Sequence, residues 1–185
     1  MRLNLPTFIT LPGIGGSDED HWQTFWENSQ PLMTRFKPPD WNKPELREWI
    51  FALQKAIDSA NEPIVLVAHS LSCLLVVHWA FHSSSKVAGA FLVAVPDPQR
   101  PSFPLAASSF LETPAKVLRF PSLIVASTND PYGSIEYAAR CAEHWNSRLV
   151  NIGAVGHING SSNLGAWPEG KRLLKEFCEE LGMNG

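Results

Sequence analysis

Three residues capable of acyl-transfer chemistry stand in order along the chain: Ser70, Asp130 and His157. A serine hydroxyl is a weak nucleophile at neutral pH and needs an imidazole to accept its proton. The imidazole needs a carboxylate to fix its tautomer and stabilise its charged form. In that scheme Ser70 attacks, His157 moves the proton and Asp130 orients His157. Each residue also has a plainer explanation: Ser70 as a helix N-cap, Asp130-Pro131-Tyr132-Gly133 as a turn, His157 as a loop imidazole. What joins them is placement. Each falls within a few residues of the end of an apolar run that reads as a strand.

The run around Ser70 is the most telling. Ile64-Val65-Leu66-Val67-Ala68 leads into His69-Ser70-Leu71-Ser72, and an apolar helical pattern follows at once from Leu71 to His82. A strand turning sharply into a helix with serine at the apex is how α/β-hydrolases present a nucleophile. The turn requires small neighbours, usually glycines in Gly-x-Ser-x-Gly. Here Ala68 and Ser72 take those places: both keep the requirement for small side chains, and the Ser72 hydroxymethyl must fit where helix and strand pack closely, leaving open whether it shifts the turn or lowers activity. Elsewhere, strands are expected at Phe8–Leu11, Thr34–Lys37, Val87–Val95, Ser122–Ser127 and Arg148–Ile152. Helices are expected at Asp20–Asn28, Glu45–Ala60, Ile135–Trp145 and Trp167–Leu181. In the second of these, Leu46, Trp49, Ile50, Leu53 and Ile57 recur at helical spacing, and Pro44 sits as a proline near N1 would. Residues 96–120 carry five prolines and little periodicity. Alternating strand and helix imply parallel strands joined by right-handed crossovers, with a ligand site beyond the strands' carboxyl ends.

An acyl-transfer site also needs backbone N–H groups aimed at the developing oxyanion. Leu71, following the nucleophile at a helix N-terminus, is one expected donor. Ile14, in the Gly-rich loop Pro12-Gly13-Ile14-Gly15-Gly16, is the other. That loop lacks the G-x-G-x-x-G spacing and a following Lys-Ser/Thr, which argues against a nucleotide-phosphate cradle. Gly13, Trp22 and Asp97 are placed in the pocket wall. Asp97 is also the rival acid, since it follows a strand in Val95-Pro96-Asp97-Pro98; Asp130 is favoured. Trp22, Trp41 and Trp167 suggest an apolar acyl site or simply core. His69 is expected to pack beside the turn. His78, His82 and His144 follow no strand.

Composition bounds the remaining choices. The chain has 185 residues, 44% hydrophobic and 18% charged, with net charge −3. One domain spanning residues 1–185 with an ordinary core is expected. No basic run points to nucleic acid. Cys73, Cys141 and Cys178 are scattered and odd in number, which fits a reducing compartment rather than a disulfide framework or a zinc site. No leader peptide or membrane span is read from the sequence, so a cytoplasmic location is expected.

The chain resembles the small serine hydrolases of the retinoblastoma-binding protein 9 family, nearest its bacterial members. The resemblance spans nearly the whole chain. It rests on Leu11–Gly16 with His21-Trp22, then Asp40-Trp41 and Pro44, then His69-Ser70-Leu71, Val95–Pro98 and Ser127–Tyr132. It ends with Gly156-His157-Ile158-Asn159 ahead of Gly165-Ala166-Trp167-Pro168-Glu169-Gly170. The resemblance implies a three-layer α/β sandwich with a mostly parallel sheet, helices on both faces and no large lid. It also implies a Ser-Asp-His triad on Ser70, Asp130 and His157. The expected function is hydrolysis of a small ester, thioester or amide, with no metal or organic cofactor and a small-molecule acyl substrate. The competing readings are a catalytically weak binding module of the same fold, its protein partner unknown, and an acyltransferase or cofactor-free peroxidase using the same triad.

Overall fold

A computed structural model describes residues 5–82 and 86–183. In chain order the elements are β1 (Thr7–Leu11), α1 (Trp22–Ser29), β2 (Met33–Arg35), α2 (Leu46–Asp58), β3 (Ile64–His69), α3 (Leu71–Ala80), β4 (Val87–Val93), β5 (Ser122–Ala126), α4 (Ile135–Trp145), β6 (Arg148–Asn151) and α5 (Pro168–Glu180). The strands form one sheet in the order β2-β1-β3-β4-β5-β6. Every pairing is parallel.

The central strands are apolar throughout because both faces of the sheet are covered. The period of two sorts their side chains. Ile64, Leu66 and Ala68 of β3, Ala90 and Leu92 of β4, and Ile124 and Ala126 of β5 pack with residues of α2, α3 and α4. Val65, Val67, Phe91, Val93, Leu123 and Val125 pack with residues of α1 and α5 on the opposite face. In α2 the stripe Trp49, Leu53 and Ile57 is fully buried. Burying each such side chain stabilises by roughly 2 kcal/mol. By contrast α3 is buried on nearly all sides, as a helix wedged between sheet and α2 must be.

Local signals set the helix ends. The first turn of α2 is capped by Glu45, whose carboxylate accepts the Arg47 and Glu48 N–H groups at 2.8 and 3.4 Å. Pro44 therefore precedes the cap instead of occupying N1. Ser134 caps α4 through the Tyr137 N–H, and Asn146 closes it in the left-handed region at φ 55°. Pro168 opens α5 at its first position, preceded by Trp167 at φ 42°. A Cβ at Gly170 would lie 2.2 Å from the Trp167 ring, so glycine is required there. The proline-rich stretch contains a short 3₁₀ turn, Leu105–Phe110, whose Ala107 and Phe110 are buried, with Phe110 edge-on to Trp49 at 5.9 Å.

The strand order reverses between β1 and β3, the position where open parallel sheets bind ligands. Loops following β1, β3, β4, β5 and β6 meet at that end of the sheet.

Candidate active site

Ser70 joins β3 to α3 with φ 55° and ψ −125°. A side chain in that region costs about 1–3 kcal/mol, a strain that surrounding contacts must hold. Here the Ser70 N–H donates to Val93 at 2.9 Å, and the Ser70 carbonyl accepts from Cys73 at 2.9 Å. The loop after β1 closes over the turn. A Cβ on Gly13 would lie 3.0 Å from Ser70 Cβ and 3.4 Å from Ser70 Oγ. Any other residue at position 13 would press on the serine.

Ser72 has a defined place in the turn. Ser72 is fully buried, and its hydroxyl donates to the Pro12 carbonyl at 2.6 Å. Where glycine would leave a gap, the hydroxymethyl group ties the helix after Ser70 to the loop after β1.

His157 bridges the other two residues. Its Nε2 lies 2.8 Å from Ser70 Oγ, and its Nδ1 lies 2.9 Å from both Asp130 carboxylate oxygens. With Asp130 ionised, Nδ1–H donates to it and Nε2 accepts from the serine hydroxyl. The Asp130 side chain is 2% exposed and that of His157 10%. Asp130 Oδ1 also accepts the Tyr132 N–H at 2.9 Å, and the Tyr132 ring packs 4.6 Å from the imidazole. Asp97 does not reach His157. Its carboxylate accepts the Gln99 N–H, and its own N–H donates to the Tyr132 carbonyl, bracing the loops after β4 and β5.

The loop carrying His157 is fastened from several sides. The Asn129 amide oxygen accepts the Gly156 N–H at 2.7 Å and the Ser127 hydroxyl at 2.9 Å, while the Ser127 oxygen accepts the Val155 N–H at 3.0 Å. Trp22 Nε1 donates to the Ile158 carbonyl at 2.8 Å, and Trp26 Nε1 to the Ala166 carbonyl at 2.7 Å. Trp22 is 1% exposed and lies outside the cleft beside Ser70. The expectation that it lines the pocket is therefore corrected: it supports the histidine loop from beneath. Trp167 belongs to the same buried cluster, 5.1 Å from Trp22. Trp41 packs on Phe36 and Trp49. Asp97 is likewise absent from the cleft wall, which its neighbour Pro96 lines instead.

His69 does more than pack beside the turn. Its Nε2 donates to the His157 carbonyl at 2.9 Å, and its ring lies 4.7 Å from His21 and 5.0 Å from His157. Burial holds the His69 pKa well below its ordinary value, helped by the neighbouring imidazoles. Burial likewise takes His21 down to about 4. Both rings are neutral near pH 7. The residue types alone gave no sign of this role, since a His before a turn serine also occurs as simple packing.

Gly13, Ile14, Ser70, Leu71 and His157 share a cleft of about 230 Å³. Neither the Ile14 nor the Leu71 N–H donates to an acceptor among the described residues. Leu71 begins α3, where first-turn N–H groups have no intrahelical partner. A serine hydroxyl bonded to an imidazole that is held by a buried carboxylate, beside two free N–H groups, is an arrangement that can attack an acyl carbon and stabilise the resulting oxyanion.

The fold and this geometry define an α/β-hydrolase. A family model described as serine hydrolase matches residues 8–176, so the chain belongs to that family, as the retinoblastoma-binding protein 9 resemblance implies. No curated protein sequence matches it significantly. Among solved structures it is similar to a YdeN-like hydrolase from Pectobacterium atrosepticum. The two are 33% identical over 96% of this chain and 92% of that one, with a TM-score of 0.85. The ydeN gene product of B. subtilis is 19% identical over 94% and 99%, with a TM-score of 0.76. Est1E from Butyrivibrio proteoclasticus, with ferulic acid bound, is 15% identical over 96% and 90%, with a TM-score of 0.70. The last two show the shared fold.

Proposed function

We propose that this serine hydrolase cleaves a small carboxylic ester, thioester or amide through an acyl-enzyme on Ser70. The observation that carries the reading is the continuous hydrogen-bond chain Ser70 Oγ–His157 Nε2 and His157 Nδ1–Asp130, at 2.8 and 2.9 Å. Ser70 Oγ attacks the carbonyl carbon as its proton passes to His157 Nε2. Asp130 holds the ring and stabilises the imidazolium. The carbonyl oxygen, now negative, is received by the Leu71 and Ile14 N–H groups, each worth about 3 kcal/mol in the transition state. Collapse of the tetrahedral intermediate breaks the bond to the leaving group, which takes the proton from His157. A water deprotonated by His157 then attacks the acyl-enzyme, and a second collapse releases the acid and regenerates Ser70.

The cleft volume, about 230 Å³, is below the usual span for drug-sized ligands, which supports a short acyl group. The three cysteines are buried and free. That fits a cytoplasmic enzyme acting on a small molecule. No described helix is long and apolar enough to cross a membrane.

Pre-steady-state hydrolysis of p-nitrophenyl butyrate tests the reading. The expected result is a p-nitrophenol burst or steady turnover that Ser70→Ala reduces to near background. Unchanged turnover by that variant would overturn the choice of nucleophile.

A further inference from the structure

Resting on the proposed reaction, we propose that Asp18 selects substrates whose leaving group carries a positive charge. The direction of the cleft follows from the chemistry. A leaving group takes its proton from His157 Nε2, so it must lie on the His157 side of the serine. That side is built by Asn159, Gly160 and Ser161, which follow His157 in the chain, together with Asp18 and His21. Leu71, Phe103 and Pro104, which also line the cleft, are apolar and suit an acyl chain.

Asp18 stands at the leaving-group end by direct packing. A Cβ on Gly160 would lie 3.0 Å from Asp18 Oδ1 and 3.4 Å from Oδ2. Glycine at 160 lets the carboxylate close against the histidine loop. Among the described residues no Lys, Arg or other cation forms an ion pair with Asp18. No lysine or arginine lines the cleft. The imidazole nearby does not neutralise it, because burial keeps His21 uncharged near pH 7. His21 Nδ1 accepts the Gln23 N–H at 3.2 Å, so the neutral ring carries its proton on Nε2, and that buried atom has no hydrogen-bond partner. The leaving-group end thus presents a carboxylate with no ion-pair partner among the described residues. Asp18 is exposed, and the neighbouring Glu19 and Asp20, exposed as well, add to the same negative field. An anionic leaving group meets repulsion there, while an ammonium group meets a counter-ion.

The test pairs two esters of one shape. Butyrylcholine and 3,3-dimethylbutyl butyrate differ in carrying a quaternary nitrogen or a quaternary carbon. Wild-type kcat/KM is expected to favour the choline ester by about two- to fivefold at low salt, the scale of one exposed ion pair. The preference should fall with added salt, vanish in Asp18→Asn and reverse in Asp18→Lys. Equal kcat/KM for the two esters in the wild type would overturn the proposal, as would a preference that survives Asp18→Asn. Turnover of p-nitrophenyl butyrate with neither alkyl ester cleaved would overturn it as well. Loss of all ester turnover would instead count against the hydrolase reading on which it rests.

Discussion

The Ser72 hydroxyl and the Pro12 carbonyl, 2.6 Å apart, connect the two segments that would supply the oxyanion donors. Leu71 precedes Ser72, and Ile14 follows Pro12 by two residues. Fixing one pair therefore sets the distance between the other.

Ser72→Ala leaves the Pro12 carbonyl buried without its donor. An unsatisfied group of this kind costs about 1–3 kcal/mol. Denaturant unfolding should show a loss in that range, with kcat falling severalfold while KM moves less. A Ser72→Ala protein as stable and as fast as the wild type would mean that the contact positions nothing.

Gly13→Ala tests the close approach over Ser70. The added methyl would meet Ser70 Cβ at 3.0 Å and the His69 carbonyl at 3.3 Å. Either the loop or the serine must move, and a misplacement near 1 Å can cost about a hundredfold in rate. The expected outcome is a loss of kcat of tenfold or more in a protein that still folds, checked by circular dichroism beside the kinetics.

The fold was legible because its signals are local. Continuous apolar runs mark β3, β4 and β5, and the i, i+4, i+8 stripe marks α2. The triad candidates were legible because a parallel sheet gathers strand ends at one edge, so three polar residues past three strands become neighbours. Residues whose roles depend on long-range partners were not. Trp22 meets Ile158 across 136 positions and His69 meets the His157 carbonyl across 88. The bonding role of Ser72 has no local signature either, because its acceptor, Pro12, lies 60 residues away. Asn129 and Ser127 stood in the motif with Asp130, yet their bonds to the loop at Val155 and Gly156 have no local signature.

Buried neutral histidines make stability depend on pH. His21 has its pKa lowered to about 4 in the folded state, against about 6.5 unfolded. Above pH 6.5 both states are neutral at this ring and folding suffers no penalty. Between pH 6.5 and 4 the unfolded chain binds a proton that the folded chain refuses, so stability falls as pH falls, by up to about 3 kcal/mol. His69, shifted the same way, adds to the trend. Thermal midpoints measured from pH 7 to pH 4 should decline, and His21→Asn should flatten the decline. A flat wild-type profile would contradict the assignment of neutral buried rings.

Asp130→Asn and Asp97→Asn separate the orienting acid from the bracing one. The asparagine at 130 keeps the shape but no longer fixes the productive tautomer of His157, and losses of about 10⁴ in kcat are typical of that change. The change at 97 leaves the Gln99 N–H with an acceptor, so kcat should move less than about threefold. A larger loss at 97 than at 130 would reverse the two roles.

The most direct test of the central claim is intact-protein mass after treatment with a fluorophosphonate. The account predicts one adduct per chain, mapped by peptide analysis to Ser70, absent in Ser70→Ala and much slower to form in His157→Ala. An adduct of equal extent in Ser70→Ala, or none in folded wild-type protein, would contradict it.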